Sequence, residues 1–401
     1  MSRNIRLWTY SLPVALMLLA PFNILASLGM DIYLPAIPAM PGILGTTPNV
    51  VQLTLTLYMI MLGVGQILFG PLSDRLGRRP VLIGGAILFA TASFALAATS
   101  SAGLFLLLRL AQATGAAAVL VALFATIRDV YAERPESAVI YSLMNAMLAF
   151  VPAVGPIAGA LIMGIWGWRA IFLALGIPAL IVLTLMLPAW HETRQAKGGQ
   201  DSAGFRPVLR SPAFWTYTIG FGTAMGTFFV FFSTAPRVLI DGAGFSELDF
   251  SFAFASVAIA MIITTRFAKS FVARWGIPGT LMRGMVMLIL GAFLLAIGQL
   301  FLAPSFWSLV VPMWLIAIGI VFTTAVTANG ALQEFGETAG MAVALHFCIQ
   351  SLLVGIVGTG FVIMLDGSTA WPLITNAAGM AAVTLIALFW LGGRNLHPQT
   401  A

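Results

Sequence analysis

The sequence predicts an all-α membrane protein with twelve transmembrane helices in two six-helix bundles. Three observations lead there. Of the 401 residues, 60% are hydrophobic and only 8% charged, against roughly 25% charged in an average soluble domain. The mean hydropathy is +1.02. About twelve apolar stretches of the roughly 20 residues that carry a helix across a bilayer alternate with short polar breaks.

The stretches are placed at 12–34, 50–70, 80–99, 103–127, 137–163, 168–189, 213–236, 249–269, 278–302, 306–328, 338–364 and 370–391. Arg3 and Arg6 ahead of the first one imitate a signal peptide, but the apolar run from Leu12 outlasts a signal h-region and reads as an uncleaved first span. Trp8 and Tyr10 suit an interfacial aromatic belt.

Charge position sets the topology. Of the nineteen Lys and Arg, Arg169 and Arg237 fall on one side, Arg109 lies within a span, and the remaining sixteen fall on the other side, Arg266, Lys269 and Arg283 among them in span ends that face it. Positive charge stays inside, so both termini are expected in the cytoplasm, and only an even number of spans keeps that split. The net charge of +6 therefore speaks of topology, and no nucleic-acid partner is expected.

The longest polar break, His191 to Pro212, holds seven charged or histidine positions and reads as a flexible linker. It divides the chain into an N-terminal bundle (1–190), a cytoplasmic linker (191–212) and a C-terminal bundle (213–401). "LWTYSLPVAL" at Leu7 and "FWTYTIGFGT" at Phe214 echo each other in three residues only. Transporters built from paired helical repeats place their site between them near mid-membrane.

An enzyme is not expected. Three scattered histidines, the single Cys348 and no HExxH or nucleophile elbow leave no constellation for metal or acyl chemistry; no metal and no cofactor are assigned, and one cysteine permits no intrachain disulfide. A channel is distinguishable by flux that ignores the proton gradient and does not saturate with a drug-sized solute.

Four places carry chemistry. "FGPLSDRLGRRP", Phe69 to Pro80, fills the break after the second span. Gly70 and Gly77 permit a tight reversal, Asp74 can accept from exposed amides at a neighbouring helix start, and Arg75, Arg78 and Arg79 can pair with acids or lipid headgroups; a plain topogenic basic loop would also contain such arginines. "FVPAVGPIAGALI" in the fifth span sets Gly155 and Gly159 four apart for close helix approach, with Pro156 able to bend the helix, although small residues pack helices in any membrane bundle. "LLLRLAQATGAA" puts Arg109 about 9 Å deep at 1.5 Å per residue, where a charge is costly and rarely meets lipid; snorkelling is the plain alternative. Gln112 shares its face. In "LASLGMDIYLPA", Asp31 lies about 28 Å along the first span, near the outer edge of a roughly 30 Å core. There it is either a solvated end residue or, if the helix runs on toward Pro35, a buried acid in the same half as Arg109.

A buried charge seeks an opposite one. Desolvation and a nearby guanidinium act oppositely on a carboxyl, so a conformational change that alters either can load or release a proton. Asp31 is the expected proton carrier and Arg109 its partner. Substrate-lining candidates are Asn23, Asp31, Tyr33, Tyr58, Arg109, Gln112, Met144, Met147, Phe228, Phe231 and Phe232, on the ground that drug pockets are mostly apolar and aromatic with a few polar handles. Met and Phe at helical spacing are equally at home in packing. His346 is the ionisable oddity of the second half, with hydrogen-bonded packing as its expected part.

The Phe69–Pro80 stretch resembles the signature between the second and third helices of the major facilitator superfamily, and span count and linker position extend the resemblance over the chain. It implies that Gly70, Asp74, Arg75, Gly77, Arg78 and Arg79 form a latch that closes the cytoplasmic side. The Gly155-Pro156-x-x-Gly159 motif is similar to that of exporters running as antiporters, and the superfamily's drug:proton antiporters carry a buried arginine at the place of Arg109. "PFNILASLGMDIYLPAIPAMPGILGTT", "GTFFVFFSTAPRVLI" and "SFAFASVAIAMIITTRFAKSF" resemble the chloramphenicol and florfenicol exporters, which carry an aspartate where this chain has Asn23. The resemblance implies proton-coupled efflux of amphipathic drugs, phenicols foremost, by a monomer in a bacterial inner membrane, with protons, drug and lipid as partners. The alternative is a proton-coupled importer of a small neutral metabolite.

Overall fold

The computed structural model describes residues 10, 12–131, 134, 136–194, 205–335 and 339–396; Arg3, Arg6, Trp8 and the middle of the long polar break lie outside them. The chain divides into two compact units, Met1–Asp201 and Ser202–Ala401.

The first unit holds α1 (Leu12–Asp31), α2 (Pro48–Leu76), α3 (Arg78–Ala98), α4 (Ala102–Tyr131), α5 (Ser137–Trp166) and α6 (Trp168–Met186). The second holds α7 (Pro212–Pro236), α8 (Glu247–Thr265), α9 (Ala268–Phe301), α10 (Val311–Leu332), α11 (Ala339–Leu352) and α12 (Trp371–Leu396). A π-helical turn, Leu353–Gly358, and a short helix, Thr359–Met364, prolong α11. Among the described residues, eleven helical stretches are long and apolar enough to cross a membrane, and α5 supplies a further apolar stretch over Phe150–Trp166.

Most ends follow from local chemistry. α1 stops at Asp31 ahead of Leu34-Pro35, since proline offers no backbone donor and disfavours helix in the residue before it. α2 starts on Pro48, whose missing N–H is no loss at a first helical position. Ser211 caps α7 by accepting from the Phe214 amide at 3.2 Å, and Ser246 caps α8 by accepting from the Asp249 amide at 3.1 Å, with Glu247 and Asp249 in the favourable first turn.

Three sequence expectations are corrected. α2 runs on to Leu76, six residues beyond the expected end, so Gly70, Asp74 and Arg75 are helical and Gly70 makes no reversal; the turn is Gly77 alone, at φ 107°. α9 begins at Ala268 rather than 278, because a helical segment precedes the kink at Gly276 (φ 66°). The polar break is not slack throughout: residues 191–194 are hydrogen-bonded to the first unit, and Arg206–Arg210 is a short helix.

In the first unit α4 packs on α2 and α3, and α1 packs on α5 and α4. Buried alanines of α4, among them Ala113, Ala116, Ala117 and Ala122, make that contact close. Tyr33, Phe105, Trp168 and Phe172 form a buried aromatic cluster at the Asp31 end of the unit. In the second unit Phe228, Phe231, Phe232 and Phe250 surround Phe254.

Candidate functional site

Arg109, on α4, is completely buried. Its Nη1 donates to the Gly29 carbonyl at 2.9 Å and to Gln112 Oε1 at 2.6 Å. Gln112 Nε2 then donates to Ser93 Oγ at 2.8 Å, and Ser93 Oγ donates to the Phe89 carbonyl at 2.6 Å. The guanidinium carbon lies 4.6 Å from the Tyr58 ring centre and 5.1 Å from that of Tyr33, within cation–π range. Tyr58 is fixed by donating to the Ala26 carbonyl at 2.7 Å.

The Gly29 contact is a helix cap. With α1 ending at Asp31, Gly29 is among the last carbonyls that lack an intrahelical donor. A cation at this end meets the negative pole of the helix dipole. Arg109 therefore spends its charge on the C-terminus of α1 and on two aromatic faces.

Asp31, the last residue of α1, is buried at 8% exposure, and its Oδ1 has no hydrogen-bond partner among the described residues. It is neither bathed in solvent nor ion-paired with Arg109: the four described ion pairs within 4.0 Å all involve Asp74, Arg78, Arg128 and Asp129. Arg109 Nε and Nη2 are likewise without a described partner. The two ionisable groups thus meet through the last turn of α1 rather than directly.

α5 closes the other side of that turn. A Cβ built on Gly155 would stand 2.8 Å from the Asp31 Cβ and 3.2 Å from Leu28 Cδ1, and one on Gly159 would collide with the Ile32 carbonyl. The Gly155-Pro156-x-x-Gly159 motif is what lets α5 lie against the Asp31 end of α1. Two turns earlier on α1, Asn23 is completely buried and donates from Nδ2 to the Met144 carbonyl at 3.1 Å. Its Oδ1 has no described partner.

Several expected residues come together here: Asp31, Tyr33, Tyr58, Arg109, Gln112, Gly155 and Gly159 in one cluster, and Asn23 two turns along. Met144 is buried, and Met147 packs, in a core with Leu19, Phe22, Leu123 and Trp190. Phe231 and Phe232 are buried in the second unit, Phe231 stacked on Phe254 at 5.3 Å and 7°; Phe228 joins that cluster half-buried. His346 is completely buried and bonded through Nδ1 to Thr218 Oγ1 at 2.9 Å.

At the other end of the first unit, Arg78 joins Asp74 at 2.6 Å, Asp129 at 2.7 Å and Ser73 at 3.1 Å. The amides at the start of α3 are taken by Glu192, a correction to the expectation that Asp74 accepts from them. Ser93, Asp129, Glu192 and the Gly29 carbonyl were missed from sequence. Asp129 beside Arg128 after a long apolar run was a usable signal; a backbone carbonyl gives none.

Two six-helix units of long apolar helices, with a caged arginine in one of them, define a multi-pass membrane transporter. The chain belongs to the Major Facilitator Superfamily, which it matches over residues 19–359. It is 49% identical over 380 residues to a protein of Pseudomonas aeruginosa named chloramphenicol resistance protein, covering 94% of this chain and 90% of that one. It is 24% identical to the multidrug resistance protein MdtL of Shewanella oneidensis, covering 89% and 91%. Among solved structures, a D-xylose-proton symporter shares the fold at TM-score 0.74 and 18% identity, covering 94% and 97%.

Proposed function

We propose that this chain is a drug:proton antiporter of a bacterial inner membrane that expels phenicol antibiotics by alternating access. The substrate class is supported by the 49% identity to a chloramphenicol resistance protein and by the span sequences quoted above. The proposed orientation, with both termini in the cytoplasm, is supported by the one-sided distribution of Lys and Arg. The lipid and the proton are further partners, and the transporter works as a monomer.

Coupling is assigned to the α1 end, and the observation that carries it is the Arg109 guanidinium capping Gly29 two residues from the buried carboxyl of Asp31. Adding or removing a proton on Asp31 changes the charge of that last turn by one unit. The guanidinium that caps it and the glycines of α5 that press on it respond together. Drug and proton then compete for one state of the carrier. The Gly70–Arg79 segment, with its ion pairs, is proposed as the latch of the cytoplasmic side.

The test is a sensitive bacterium expressing the chain, with inverted membrane vesicles for rates. Resistance to chloramphenicol and florfenicol should rise, and vesicles should take up drug only when a proton gradient is imposed. Asp31→Asn should abolish that uptake with expression intact; unchanged uptake would refute the assignment. Greater drug accumulation in the expressing cells would instead favour an importer.

A further inference from the structure

Residues 192–194, which follow α6, clasp the α2–α3 turn from both sides. Glu192 Oε1 accepts from the Arg78 amide at 2.8 Å and Oε2 from the Arg79 amide at 3.1 Å. These are the first two amides of α3, which lack intrahelical acceptors. Gly77, the residue before them, offers no side-chain cap, and the carboxylate occupies the space a Cβ there would need. Across the turn, Arg194 Nη1 donates to the Arg75 carbonyl at 2.7 Å, at the C-terminal end of α2. An anion thus sits on a helix N-terminus and a cation on a helix C-terminus, each in its favourable place.

The clasp is internally braced. Glu192 Oε1 also accepts from the Thr193 and Arg194 amides at 3.1 and 2.9 Å. Just upstream, Trp190 is buried against Phe22 with ring centres 6.2 Å apart, and Tyr10 donates to the Ala189 carbonyl at 2.7 Å. Arg79 Nη2 donates to the Leu187 carbonyl at 3.0 Å. Arg78, whose amide Glu192 holds, is also the residue whose side chain bridges Asp74 and Asp129.

We propose that Glu192 is a positioning residue for the latch: by holding the first amides of α3 it keeps Arg78 in register with Asp74 and Asp129, and it ties the stretch after α6 to that ion-paired turn. The inference rests on the efflux reading for its kinetic consequence, whereas the clasp itself is testable without transport.

The experiment uses the full chain in lipid nanodiscs for hydrogen exchange and in vesicles for florfenicol transport, comparing wild type, Glu192→Ala and Glu192→Gln. Expected results are faster exchange across residues 76–80 in Glu192→Ala, an intermediate rate in Glu192→Gln, and maximal transport lowered about tenfold, the scale of losing one charged hydrogen bond, with KM unchanged. Unaltered exchange across residues 76–80 overturns the clasp. Faster exchange with unaltered transport, or a loss confined to KM, overturns the positioning role. A wild type that moves no drug sinks the efflux reading while leaving the exchange comparison valid. Should Glu192→Ala not yield folded protein, Glu192→Gln and Arg194→Ala carry the same comparison, with exchange indistinguishable from wild type in both as the overturning result.

Discussion

Gly155 lies flush against Asp31: a methyl group on the glycine would stand 2.8 Å from the aspartate Cβ. The motif on α5 and the acid on α1 are therefore parts of one contact, and their effects on substitution should be linked. Gly155→Ala and Gly159→Ala should each overpack it, at a cost of about 1–3 kcal/mol. The second should cost more, since it meets the Ile32 backbone carbonyl, which cannot rotate aside. Apparent melting temperatures in detergent would show both falls; an unshifted Gly159→Ala protein would mean that α1 and α5 are not this close.

The Arg109 cage predicts a ranking. Arg109→Lys keeps the charge but replaces a planar fork with a point donor, so it should cut proton-driven efflux by at least about tenfold, the range expected when a buried charged hydrogen bond is lost. Gln112→Ala removes the acceptor at 2.6 Å and should follow. Ser93→Ala, one step further from the guanidinium, should cost about 1 kcal/mol of stability and leave most transport. Vesicle uptake rates order the three, and a Ser93→Ala defect as deep as that of Arg109→Lys would contradict the ranking.

The sequence made the helices legible because bilayer-scale hydropathy is a one-dimensional signal, and the Arg109–Gln112 contact because residues three apart on a helix are neighbours. It misled at Gly70-Pro71, a dipeptide that marks turns: α2 continues through it to Leu76, as membrane helices tolerate proline when neighbours restore the lost backbone contact. Asp31 against Gly155 joins residues far apart in the chain, and no local pattern pairs them. Glu192 was hidden for another reason, since it stands in a run of polar residues whose composition reads as a tether. The expected Asp31–Arg109 ion pair missed the backbone: the acceptor the guanidinium finds on α1 is the orphan carbonyl of Gly29.

The loop before α12 carries a pH prediction of its own. Asp366, at φ 59°, accepts from the Ser368 amide at 3.0 Å and hydroxyl at 2.8 Å, and these bonds hold its carboxyl below the usual carboxylate range. With the folded value depressed, the stabilisation is fully present above the unfolded value of about 3.9 and is lost as pH falls through the folded one. Proteolytic nicking of residues 366–370 should therefore be the same at pH 5 and pH 8. Asp366→Asn should nick faster at both, and a wild-type loop that loosens between pH 8 and pH 5 would exclude this carboxylate as its anchor.

Asn23 gives the sharpest test of how the proposed proton load is shared. Its amide donates to the Met144 carbonyl at 3.1 Å, a bond that owes nothing to pH. In Asn23→Asp the same bond needs a proton on the carboxyl, because an ionised carboxylate can only accept, and the α1–α5 contact becomes proton-dependent two turns from Asp31. If the resemblance to phenicol exporters with an aspartate at this place extends to mechanism, Asn23→Asp should raise florfenicol resistance several-fold in a sensitive host. It should also add a second pH-dependent phase to vesicle uptake that Asp31→Asn does not remove. Superimposable pH profiles for the two chains would mean that Asn23 only packs, leaving Asp31 as the one proposed carrier of coupling.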